Sequence, residues 1–73
     1  MSTKRYTIEN PTWASAEIYE WDGLEGEMIA TAIITSQIGQ PERVTVRMQD
    51  GRLLIGVFTS PGQALAAVKA ARR

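Results

Sequence analysis

Residues 17–27 read EIYEWDGLEGE and hold five carboxylates, Glu17, Glu20, Asp22, Glu25 and Glu27, with Tyr19 and Trp21 among them. Paired carboxylates serve as general acid and base when burial or mutual repulsion separates their pKa values. Carboxylates crowded around a glycine-containing turn stay exposed and ionised instead. Glycosidase-type chemistry needs a cleft, and a chain of 73 residues offers little room for one. DGLEGE has oxygens to offer a cation, but not at the spacing of a calcium-binding loop. Two readings are left. One is a solvated turn. The other is a docking surface for a protein partner with a basic surface, formed by Glu17, Tyr19, Glu20, Trp21, Asp22, Glu25 and Glu27. In that reading the aromatic rings are the anchors and the acids steer the encounter.

The C-terminal half carries the opposite charge. Residues 43–73 hold six bases (Arg43, Arg47, Arg52, Lys69, Arg72, Arg73) against the single acid Asp50, while residues 9–27 hold six acids and no base. Arg43, Arg47 and Arg52, with Phe58 close by, would share the solvent face of a hairpin. Bases interleaved with an aromatic ring on a sheet bind single-stranded nucleic acid. The formal net charge is zero, so nucleic-acid binding is the alternative and protein docking the first choice. The chain has no cysteine and no histidine. That removes disulfides, thiolate metal sites, Cys–His and Ser–His nucleophiles and imidazole proton shuttles. The six glycines are scattered and form no phosphate loop. The expectation is a protein with no catalytic activity, no cofactor and no metal.

The elements that must position these residues follow from pattern. RVTVRMQ and RLLIGVF flank Asp50-Gly51, a pair that favours a two-residue type I′ hairpin turn. That turn would set Met48 opposite Leu53, Val46 opposite Ile55 and Val44 opposite Val57 on the apolar face. It would set Arg47 opposite Leu54 and Arg43 opposite Phe58 on the other. SPGQALAAVKAARR predicts a helix over 61–72, with Ser60 as N-cap, Pro61 in the first turn and Gln63 closing a capping box. Ala64, Leu65, Val68, Ala71 and Ala67 form its inward stripe. Lys69, Arg72 and Arg73 lie where the helix dipole favours cations. The β-branched run EMIATAIITSQI at 27–38 predicts a central strand, and KRYTIE at 4–9 an edge strand. TWASAEIYEWD at 12–22 fits a strand or a helix. The short glycine-bearing link that follows favours a strand and a hairpin, with Ala14, Ala16 and Ile18 inward and Trp13, Tyr19 and Trp21 outward.

VTVRMQDGRLLIGVF resembles the first motif of the Sm-like family in Val44, Val46, Met48, Gly51 and Gly56. The match ends at Phe58. The acidic and amide residues with which that family contacts RNA have no counterpart in TSPGQA, and a helix replaces the strands of the second motif. The resemblance covers fifteen of 73 residues, and no function is transferred with it.

Taken together, the chain predicts one α+β domain spanning 1–73. It is a small antiparallel meander of four to five strands, curved or barrel-like, with one C-terminal helix. MSTKRYTIEN is too polar for a signal peptide, and MIATAII is too short to cross a bilayer. A cytoplasmic protein without a membrane partner is expected. In size and charge it is similar in type to the small inhibitors that phages and mobile elements use to cover a basic surface of a host complex. A subunit of a homo-oligomer is a third reading.

Overall fold

The computed structural model describes residues 4–72, apart from the side chains of Ile55 and Val57. Five strands, β1 (Lys4–Glu9), β2 (Ser15–Asp22), β3 (Glu25–Thr35), β4 (Arg43–Met48) and β5 (Leu53–Phe58), precede one helix, α1 (Pro61–Ala71). The strands form one antiparallel meander in the order β1-β2-β3-β4-β5. The fold is α+β as the sequence predicts, with an open sheet rather than a closed barrel. No helix among the described residues is long and apolar enough to cross a membrane.

Alternation sorts most of the sheet into two faces. One is covered by α1, which lies against β1, β3, β4 and β5. Its buried residues are Ala16, Ile18, Ala30, Ala32, Val44, Val46 and Met48, packed on Ala64 and Val68 of the helix. Alanine at 16, 30 and 32 lets the helix come close. Ile18, Val46 and Val68 are fully buried, each worth roughly 1.5–3 kcal/mol of hydrophobic stabilisation. Where β2 passes from Ile18 to Tyr19, the partner on β3 jumps from Ala30 to Met28. Ile29 is the extra residue of this bulge, and it too is buried.

The hairpin register differs from expectation because of its turn. The Gly51 N–H bonds the Met48 carbonyl at 2.9 Å, and the Met48 N–H bonds the Arg52 carbonyl at 2.7 Å. Gly51 has a φ of 94°, and Asp50 does not take positive φ. A type I′ turn would require it at both. Asp50 instead accepts the Arg52 N–H at 3.0 Å through its carboxylate, as an Asx-turn does. The loop is therefore three residues, Gln49 to Gly51, with an αL glycine at its end. The slip of one residue turns β5 over. Arg47 pairs with Leu53, Val46 with Leu54 and, past a second irregularity, Val44 with Phe58. Leu54 and Phe58 pack against the core, and Leu53 is 60% exposed. The inward placement expected of Ile55 and Val57, and the terminal cation expected at Arg73, lie outside the described residues.

The helix begins where its capping signals say. Ser60 Oγ accepts the Gln63 N–H at 3.3 Å, and Gln63 Oε1 accepts the N–H of Thr59 at 2.9 Å, one residue earlier than in the usual box. Ala64 and Val68 are buried, Leu65 and Ala67 are half-buried, and Ala71, expected inward, is exposed. β3 ends at Thr35, three residues before the expected limit, and leaves Ile38 fully exposed.

Candidate functional site

The acidic segment is divided among three environments. β2 carries Glu17, Tyr19 and Trp21 on the open face of the sheet, Glu20 on the covered face, and Asp22 at its end. Gly23, with a φ of 65°, stands at the first central position of the two-residue β2–β3 turn, where a II′ hairpin takes glycine. Leu24 projects from the turn 97% exposed. Asp22 pairs with Glu25 at its base and Glu27 stands opposite Glu20, so these three acids lie on the covered side of the sheet, away from Trp21. All three are exposed and without an ion-pair partner among the described residues.

Trp21 is laid across three strands at the base of that turn. It stands opposite Arg5 on β1 and Gly26 on β3. Its ring covers Gly26 so closely that a Cβ there would lie 2.5 Å from Trp21 Cε3. Its Nε1–H donates to Thr7 Oγ1 at 2.7 Å, the Arg5 guanidinium carbon lies 5.8 Å from its centroid, and Tyr19 stacks on it at 5.9 Å. The aromatic pair and the cation–π contact contribute about 0.5–1 kcal/mol each. More important, they hold the indole in one pose. Trp13, expected to line this face, is instead 91% exposed in the loop before β2.

Glu20 belongs to the interior and is a correction to the expected docking set. The residue is 6% exposed. Arg72 grips both carboxylate oxygens at 3.0 Å, the Tyr6 hydroxyl donates at 2.8 Å, and Lys4 Nζ lies at 3.3 Å. The Arg72 guanidinium is the main reason the carboxyl is held down to about 2. Burial opposes it, and the Tyr6 and Lys4 hydrogen bonds add to it. The same carboxylate holds the Arg72 pKa up, while burial first and then Glu20 raise that of Tyr6. This node ties β1, β2 and the end of α1 together.

The nucleic-acid set is also divided. Arg43 and Arg47 are exposed on the open face, as expected. Arg52 sits in the hairpin loop with its Nε 2.8 Å from Asp50 Oδ2. Phe58, expected to interleave with the arginines, packs against the core on the other face. The sequence reading missed Arg5 and Thr7, which support the indole, and Lys4, Tyr6 and Arg72 as ligands of Glu20. Pairing β1 with β2 would have found the first two, since Arg5 faces Trp21 and Thr7 faces Tyr19. It would also have set Glu9 opposite Glu17, two like charges side by side. Thr7 and Asn10 hydrogen-bond these two carboxylates at 2.9 and 2.6 Å. Among the described residues no group of three or more potential ligands is placed to hold a metal ion. Comparison with protein-family models, with curated proteins and with solved structures finds no match.

Proposed function

We propose that the chain is a protein-docking module without chemistry of its own, acting in the cytoplasm through its acidic β2–β3 turn on a basic partner surface. The observation that carries this reading is the turn itself. Leu24 is 97% exposed at the tip of a turn that carries three exposed carboxylates without an ion-pair partner among the described residues on one side, and an indole locked over Gly26 on the other. A rigid aromatic next to an exposed apolar tip has the make-up of an interface hot spot, and unpaired rim charges raise the on-rate toward an opposite surface. Glu20 leaves the contact set. Leu24 forms its tip, with Asp22, Glu25 and Glu27 on the covered side of the sheet and Trp21, Tyr19 and Glu17 on the open side. Covering a basic surface of a larger complex is how a small inhibitor of the phage or mobile-element type would use such a turn.

The test is capture from lysate by the wild type and by a D22K/E25K/E27K variant. The reading requires a partner that the wild type retains, that the charge-reversed turn loses, and that elutes with rising salt. Leu24→Ala should then speed its dissociation. A captured set unchanged by charge reversal overturns the reading. Salt-sensitive retention of single-stranded nucleic acid that depends on Arg43 and Arg47 would replace it with the alternative.

A further inference from the structure

We propose that the open face of the sheet is a self-association surface on which two copies of this chain pack face to face, with Glu17 of each against Arg47 of the other. The register sets one row of side chains across the whole sheet, Glu9–Glu17–Thr31–Arg47–Leu53. Its acids lie on one side of β3 and its base on the other. Neither Glu17 nor Arg47 makes an ion pair within the chain among the described residues. Glu17 also stands beside Glu9, an arrangement of like charges that costs stability until a cation faces it.

A two-fold axis along β3, in the plane between two such sheets, lays β2 of one copy over β4 of the other and keeps every row in place. Glu17 then meets Arg47, Ser15 meets Thr45, and Ile33, 41% exposed, meets its own counterpart on the axis. A two-fold running across the strands would instead set Glu17 over Glu17. Opposite charges therefore select the first axis, and each contact occurs twice, as an isologous interface requires. Shape agrees with charge. Tyr19 stands one row from Glu17, and the matching place on the other copy is a hollow of about 260 Å³ lined by Thr31, Arg47, Met48, Gln49 and Gly51. Sheets packed in this way keep their strands within about 30° of each other.

Area and net charge set the strength. Five strands at ~4.8 Å spacing and about eight residues at ~3.3 Å rise give a face of roughly 500 Å². Two copies bury roughly 1,000 Å², the low end for specific association. The formal net charge of zero leaves no long-range repulsion between copies. The two acidic turns lie at one end of the pair, and physiological salt screens them beyond about 8 Å. Leu24 and the three acids of the turn stay outside the contact, whereas Glu17, Tyr19 and Trp21 lie on the face it covers. The pairing is therefore read from the oligomeric state alone, whether or not the turn binds a protein.

Sedimentation velocity of the full chain at physiological salt tests it. The wild type should pass from monomer to dimer with concentration. Glu17→Arg and Arg47→Glu should each weaken the dimer ~10-fold or more, because each sets like charges together. An equimolar mixture of these two variants should dimerise again, since both contacts in the mixed pair join opposite charges. A wild type that stays monomeric at its highest soluble concentration overturns the proposal. So do a dimer that survives both single variants and a mixture that stays monomeric. If circular dichroism shows that Glu17→Arg or Arg47→Glu fails to fold, Ile33→Asp on the axis decides. Loss of the dimer supports the pairing, and its persistence overturns it.

Discussion

Glu17 and Glu20 are three residues apart on one strand and lead different lives. Glu20 is buried, gripped by Arg72, Tyr6 and Lys4, and held ionised far into acid. Glu17 is half-buried on the open face, bonded to Asn10 and set beside Glu9. The pleat decides the difference, since odd and even positions of β2 point to opposite faces. A carboxylate on the covered face must be neutralised from within the chain, and it becomes architecture. One on the open face can be left for another molecule.

Removing Arg72 should separate the two most sharply. Arg72→Ala leaves the Glu20 carboxylate buried with only Tyr6 and Lys4. Breaking a buried pair costs about 3–5 kcal/mol, and the Arg72 side chain is 37% exposed, which lowers the figure to roughly 2–3 kcal/mol. That is a large share of a small domain's stability. A loss under half of this in urea melts would mean that Lys4 and Tyr6 suffice. Glu20→Gln combined with Arg72→Ala should recover part of the loss, because the orphaned charge is gone.

Acid should act on the same node. In the unfolded chain Glu20 titrates near 4.5, and in the folded chain near 2. Its folded pKa is depressed, so its contribution is complete above pH ~4.5. Below that the unfolded chain takes up the proton first. About 3 kcal/mol should be lost by pH ~2, and little beyond. Denaturant melts of the wild type and Glu20→Gln across this window check it. The variant should show a visibly shallower decline.

How much of this could be read from the sequence depends on how far each side chain's reason lies along the chain. Val44, Val46 and Met48 turn inward and Arg43, Thr45 and Arg47 outward by simple alternation, and Ser60-Pro61 marks the helix start within one turn. β5 could not be read so. Its face depends on the register, and the register depends on Asp50 binding the Arg52 N–H rather than taking positive φ. Glu20 is more instructive. The alternation that places Ala16 and Ile18 inward also places Glu20 inward, but its charge argued for solvent. The residue that overrides that argument, Arg72, is 52 positions away. The open face was legible on β2 and β4 and hidden on β1, because Arg5, Thr7 and Glu9 gain their meaning only from the strand beside them.

Gly26 offers a smaller break on the open side. A methyl group there meets the Trp21 ring at 2.5 Å. The indole cannot lift without stretching its bond to Thr7 and leaving Tyr19. Gly26→Ala should cost about 1–2 kcal/mol through overpacking and change the near-UV circular dichroism. If the indole moves freely, the spectrum stays as it is, and the anchor is looser than its contacts imply.

The smallest expected effect is the most telling about Glu17. Glu17→Gln keeps the size and the ability to bond Asn10 and removes one of two adjacent like charges. If Glu17 were a structural carboxylate like Glu20, the change would cost more than 1 kcal/mol, as charged hydrogen bonds do. Facing solvent, it should cost nothing or stabilise the isolated monomer by a few tenths of a kcal/mol, because opposed like charges on neighbouring strands are unfavourable. The melts must be run dilute, so that no second copy contributes. A loss above 1 kcal/mol would place Glu17 with Glu20 as part of the architecture. A neutral result at low concentration, with a weaker dimer at high concentration, would show a residue whose charge serves only an encounter with another molecule.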